Sequence, residues 1–127
     1  MHTDPIADLL TRIRNAAKSH HENLSLPHST IKENILKIMK DRGVIENFSK
    51  EKEGDFDMLK ISLKEETSKL TFRRISKPGQ SIYVKKTDMH PIKSGLGLSI
   101  ISTSRGLMTN MEAKKQNLGG ELICEIY

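Results

Sequence analysis

The chain has 127 residues, 35% of them hydrophobic, with no Trp and a single cysteine, Cys124; this supports one domain or two small ones around an aliphatic core and excludes an internal disulfide. The net charge is +5, but residues 1–66 carry 11 Lys/Arg and 12 Asp/Glu, a net of −1, whereas residues 67–127 carry 10 and 4, a net of +6. A polyanion suits that second half, while no apolar run approaches the roughly 20 residues of a membrane span and no basic amphipathic helix offers a membrane-surface anchor.

Asp4 and Pro5 suit the N-cap and first turn of a helix. Ile6, Leu9, Leu10, Ile13 and Ala17 then recur at helical spacing, which predicts an amphipathic helix over 5–19. Asp4 and Asp8 break its apolar run, so it does not read as a signal peptide. Leu24 and Leu26 predict a short strand before Pro27. His20, His21 and His28 match no zinc spacing and read as solvated loop residues. Thr30 and Glu33 have capping-box spacing. Ile31, Ile35, Leu36, Ile38 and Met39 predict a second helix, ending at Arg42 with Gly43 as its stop. Val44, Ile45 and Phe48 begin a strand, residues 51–57 form a charged turn containing Gly54, and Leu59, Ile61 and Leu63 predict a strand with one wet face. Residues 1–66 therefore read as an α-β-α-β-β subdomain.

Residues 65–69 are polar and read as a linker to a second, β-rich subdomain spanning 67–127. Leu70, Phe72 and Ile75 suggest a strand bearing Arg73 and Arg74. Lys77-Pro78-Gly79-Gln80 places Pro and Gly at the middle of a type II turn, and Ile82-Tyr83-Val84 returns as a strand. The resulting hairpin gathers Arg73, Arg74, Lys77, Lys85 and Lys86 around Tyr83. Cations meet phosphates and a ring can stack on a base; a solvated basic hairpin has the same composition.

Ile100 and Ile101 end an apolar run. Ser102-Thr103-Ser104-Arg105-Gly106 then forms a tight loop. Thr109 and Glu112 have capping-box spacing for a short helix over 109–117. Gly119-Gly120 ends that helix by taking positive φ, and 121–127 closes the chain as a strand in which Leu122, Cys124 and Ile126 alternate. Cys124 reads as a small buried or half-buried thiol in a reducing compartment and not as a catalytic one. Loop hydroxyls can meet base edges, 2′-hydroxyls and phosphates without carrying charge; the bland reading of the same residues is a turn followed by a capped helix.

No enzyme is expected. Gly95-Leu96-Gly97 lacks the glycine that a dinucleotide loop needs at Ile100. Gly97-Leu98-Ser99-Ile100-Ile101 lacks the last glycine of a nucleophile elbow. Neither a metal site nor a cofactor is expected.

Ser102-Thr103-Ser104-Arg105-Gly106-Leu107-Met108-Thr109, then Glu112-Ala113-Lys114-Lys115 and Leu118-Gly119-Gly120-Glu121, closely resemble the signature of the small-subunit ribosomal protein eight family in its bacterial form. Asp4-Pro5-Ile6-Ala7-Asp8 through Thr11-Arg12-Ile13-Arg14-Asn15 resembles the family's opening, and Arg74-Ile75-Ser76-Lys77-Pro78-Gly79 its central motif. Gly95-Leu96-Gly97 precedes the last motif as in the family, so the likeness runs over essentially the whole chain. Ser81, His90 and Met111 depart from it.

The resemblance implies an α+β fold and a cytoplasmic, ribosomal protein, monomeric within the ribosome. It implies primary binding to the central domain of 16S rRNA, a role in assembling the platform, contacts with small-subunit ribosomal proteins five and twelve, and in some bacteria repression of the protein's own-operon mRNA. It also implies RNA contacts at Ser102, Thr103, Ser104, Arg105 and Gly106, at Gly120 and Glu121, at Arg74, Ser76, Lys77, Pro78, Gly79 and Tyr83, at Lys114 and Lys115, and at Arg14 and Asn15. A protein-interaction module that grips an acidic partner is the competing expectation. It needs the positive charge and not the hydroxyl loop.

Overall fold

The structure, a computed structural model, describes residues 4–89 and 97–127. The departure noted at His90 and the first two residues of Gly95-Leu96-Gly97 lie outside the described residues. The fold is α+β and divides into two compact units. One is Asp8–Leu70; the other holds Thr71–Tyr127 together with the chain up to Ala7.

The Asp8–Leu70 unit takes most of helix α1 (Pro5–Lys18), then strand β1 (Asn23–Pro27), helix α2 (Thr30–Asp41), and strands β2 (Asn47–Glu53) and β3 (Phe56–Ser62). The strands form one antiparallel sheet in the order β1-β3-β2. Leu26 faces Leu59, and Leu24 faces Ile61. Cross-strand partners share a face, so the buried Leu26, Leu59 and Ile61 lie together while Ser25, Lys60 and Ser49 form the wet side. Leu9, Leu10, Ile13 and Ala17 of α1 and Ile35, Leu36 and Met39 of α2 complete the buried set, as their spacing predicts. Ile31 and Ile38 are only half-buried.

Five local expectations change in this unit. The N-cap of α2 is Ser29, whose hydroxyl accepts from the Lys32 amide at 3.3 Å. Glu33 is therefore free of the capping box and instead meets His28 at 3.1 Å and Lys37 at 3.5 Å. His28 is thus a half-buried residue hydrogen-bonded to Glu33, not a solvated one; His20 and His21 are exposed. Val44 and Ile45 are buried but precede β2, because Gly43, at φ +76, is still turning the chain out of α2. The charged 51–57 stretch is mostly ladder, with only Gly54-Asp55 as its turn. The supposed linker is a 3-10 helix, Glu65–Lys69, held by buried Thr67, which donates to the Val44 carbonyl at 2.7 Å.

The second unit is mostly antiparallel β with one short helix. Its strands are β4 (Phe72–Arg74), β5 (Tyr83–Val84), β6 (Leu98–Thr103), β7 (Gly106–Thr109) and β8 (Gly120–Ile126); its helix is α3 (Asn110–Lys115). The sheet runs β4-β8-β6-β7, and β5 also pairs with β8. Ile101, Met108, Met89 and Ala113 are buried together against Val84, Leu118 and Leu122. At Ile100/Ile101 the β6–β8 register shifts, so Ile123 and Cys124 are both buried where strict alternation would bury one.

Candidate nucleic-acid interface

The hydroxyl segment is built as a hairpin and not as an open loop. β6 continues through Ser102 and Thr103, Ser104 and Arg105 form the turn, and β7 returns from Gly106. β7 was not expected, since Gly106-Leu107-Met108-Thr109 offers only two apolar residues. Gly106 sits at φ +106, which a residue with a Cβ rarely adopts. Thr103 closes the turn from inside: its hydroxyl accepts from the Arg105 amide at 3.1 Å and donates to the Gly106 carbonyl at 2.9 Å. Thr103 is therefore committed. Among the described residues, Ser102 and Ser104 spend their hydroxyls on no other group, and Ser104 is exposed. Arg105 is exposed and reaches Gln116 at 3.5 Å.

Helix α3 is capped as its spacing predicts, with the Thr109 hydroxyl accepting from the Glu112 amide at 3.2 Å. Its far end differs from expectation. Asn117, at φ 56, is the residue with positive φ, and Leu118 donates to the Ala113 carbonyl at 2.9 Å in a Schellman closure. Gly119 and Gly120 serve close approach instead: a Cβ on Gly119 would stand 2.8 Å from the Val84 carbonyl, and one on Gly120 would run into the Ser102 carbonyl. The helix start is buried at Thr109 and Asn110, so it offers no phosphate site; Lys114 and Lys115 are exposed in the last turn, where they complement the helix dipole.

The narrow spacing at Gly120 sets up a row across three strands. Glu121 pairs with Tyr83 on one side and with Ser102 on the other. Paired residues share a face, so Tyr83, Glu121 and Ser102 present a ring, a carboxylate and a hydroxyl side by side over about 10 Å. Tyr83 is 72% exposed and its neighbour Ile82 is 40% exposed.

The basic hairpin is also rearranged. β4 and β5 do not pair with each other; both lie along the same edge of β8, Phe72 to Arg74 against Ile126 to Cys124 and Tyr83-Val84 against Glu121-Gly120. Residues 77–82 are an excursion from one interrupted edge strand. Its tip is the expected turn, with Gly79 at φ +81 and the Gln80 amide donating to the Lys77 carbonyl at 2.9 Å. Lys77, Pro78, Gly79, Lys85 and Lys86 are exposed. Ser76 is fully buried, and its hydroxyl accepts from the Ile82 amide at 2.9 Å and donates to the Ile82 carbonyl at 3.2 Å. Arg74 is committed as well, to Asp4 at 3.1 Å and to the Ile123 carbonyl at 2.7 Å. Asp4 carries no sequence signal for this pairing, being 70 residues away.

Arg14 and Asn15 belong to the other unit. Arg14 is half-buried and donates to Thr11 at 3.3 Å; Asn15 is exposed. Buried Cys124 has its thiol pushed up to about 12, first by loss of solvent, so it is held neutral. No cluster among the described residues could hold a metal ion, and no described helix is long and apolar enough to cross a membrane.

The β-rich unit thus presents exposed cations, an exposed ring and two hydroxyls with no partner among the described residues, a surface that suits a polyanion. The comparisons give the family. The sequence model described as Ribosomal protein S8 matches residues 4–127. The small ribosomal subunit protein uS8 of Clostridium kluyveri is 45% identical over 129 positions, covering 98% of each chain. That of Kosmotoga olearia is 43% identical over 134 positions, covering all of both chains. The chain belongs to the ribosomal protein S8 family, a family of structural proteins and not of enzymes.

Proposed function

We propose that the chain is a structural component of the small ribosomal subunit that binds the central domain of 16S rRNA directly and helps organise the platform during assembly. Family membership supports the ribosomal part of this reading. The RNA part is carried by one observation: the Tyr83–Glu121–Ser102 row beside the hydroxyl of Ser104, which has no partner among the described residues. An A-form helix hides its base edges in a deep groove, so a protein reads sequence at bulges and distorted pairs. The hydroxyls of Ser102 and Ser104 would bond an unpaired base and its sugar, with Gly106 letting the backbone pass close. Tyr83 would stack, and Glu121 would accept from a base amine. Lys77 and Arg105 would meet phosphates, as would Lys114 and Lys115; Arg14 and Asn15, in the other unit, would make RNA contacts of their own. Thr103 and Arg74 act as braces within the protein.

Small-subunit ribosomal proteins five and twelve would be its neighbours in the cytoplasmic ribosome. An own-operon mRNA element that imitates the rRNA site would occupy the same surface. The test is amide chemical-shift mapping with a 16S central-domain fragment. Shifts gathered at Lys77, Gly79 and Tyr83, at 102–106 and at 120–121 are expected; shifts spread over all lysines, with none at 102–106, would overturn the site.

A further inference from the structure

We propose that Ser76 is a positioning residue, a latch that fixes the 77–82 excursion so that Lys77 is presented to RNA in one geometry; this rests on the RNA-binding reading above. The edge strand beside β8 breaks at this point. Ser76 donates its amide to the Leu122 carbonyl at 3.1 Å, and the next β8 bond on that edge is Leu122 donating to the Ile82 carbonyl at 2.8 Å. The ladder therefore jumps from Ser76 to Ile82 while the chain between them loops out. Leu122 holds one backbone group of each end, the Ser76 amide and the Ile82 carbonyl. The Ser76 hydroxyl ties the two ends directly, bonding both the amide and the carbonyl of Ile82, at 2.9 and 3.2 Å. It is fully buried, so water does not compete for either bond.

Lys77 follows the latch directly, and Tyr83 follows Ile82. The latch thus sets the exit directions of both arms. At the tip, the paired bonds between Lys77 and Gln80 close the turn locally. They do not connect it to the sheet; at its base, one bond from each end to Leu122 leaves the Ile82 amide to the Ser76 hydroxyl, which fixes the two arms to each other. A hydroxyl is the smallest group that both donates and accepts, as this position requires. Ser76 thus contributes to binding without touching RNA.

The experiment is a double-mutant cycle between Ser76→Ala and Lys77→Gln, read as affinity for the central-domain fragment across a salt series. If the latch acts through Lys77, Ser76→Ala lowers the salt slope by roughly 0.7–0.9, the value for one phosphate, as Lys77→Gln does. The double variant then binds no more weakly than the worse single variant. Ser76→Cys keeps the side chain's shape and weakens both bonds, so it should move the slope in the same direction by less; it carries the test if the Ala chain fails to fold. Additive losses, or an unchanged slope in both Ser76 variants while the Ile82 amide exchanges faster, would overturn the latch and leave the RNA reading intact. A wild-type chain with no preference for the fragment would overturn the RNA reading, and the latch with it.

Discussion

Arg74 and Asp4, 70 residues apart in the chain, meet at 3.1 Å with side chains only 14% and 19% exposed. Asp4 also accepts at 3.2 Å from the amides of Ile6 and Ala7, so one carboxylate caps α1 with one oxygen and holds Arg74 with the other. Arg74 in turn bonds the Ile123 carbonyl. Asp4 is thereby tied to β4 and β8. Removing either partner leaves the other half-desolvated. Asp4→Asn and Arg74→Ala should each cost about 1–3 kcal/mol of stability in urea unfolding. Arg74→Ala should leave the salt slope of RNA binding unchanged, and a slope lowered by about 0.7–0.9 would return Arg74 to the phosphate contacts.

Ser104 tests the hydroxyl turn. Its side chain is exposed and has no partner among the described residues. Ser104→Ala should leave stability unchanged and cost about 1–3 kcal/mol of binding to the specific fragment, as loss of a base contact does. Affinity for a plain duplex should not change. A fragment affinity within error of wild type would remove Ser104 from the interface.

Gly120 tests the close approach of β8 and β6. A methyl group there meets the Ser102 backbone, which cannot move aside as a flexible side chain could. Gly120→Ala should destabilise the chain by about 1–3 kcal/mol through overpacking and weaken fragment binding, because the Tyr83–Glu121–Ser102 row depends on that spacing. Unchanged thermal stability would contradict the geometry.

Glu33 and Cys124 give pH signatures of opposite sign. The His28 hydrogen bond, with Lys37 adding to it, holds the Glu33 carboxyl below its ordinary 4.5. Its contribution is present above that value and fades as pH falls through the lowered one. Glu33→Gln should therefore lower the melting temperature at pH 6, with the gap closing towards pH 3. For Cys124 the folded thiol sits near 12 against an ordinary 9.0, so stability is full below about pH 9 and falls as pH rises from there. In the native chain at pH 8 the thiol should resist alkylation until denaturant opens the fold; rapid native labelling would contradict its burial.

Local signals carried much of the fold. Both helices of the first unit and the Thr109 cap follow from spacing and side-chain chemistry within a few residues, and so does the Gly79 turn. What sequence reasoning missed depends on partners distant in the chain. β4 and β5 looked like a hairpin because nothing local says that both lie on β8. Gly119 and Gly120 looked like helix-ending residues, although their smallness answers to Val84 and Ser102 on neighbouring strands. The hydroxyl turn and the exposed Lys77 and Tyr83 were legible as a candidate site. The inward roles of Ser76 and Arg74 were not, since a polar residue in a basic motif shows its partner only in three dimensions.

The central claim is specific RNA recognition, and the most direct measurement is affinity for a 16S central-domain fragment beside a perfect duplex of the same length, both over a salt series. Specific contacts add to the sequence-independent electrostatic term, so they survive salt that removes the latter. Specific recognition predicts tight fragment binding that persists where duplex binding is lost. Equal and equally salt-sensitive binding to both would contradict it, leaving only the net charge of +6 on residues 67–127 as the basis of affinity.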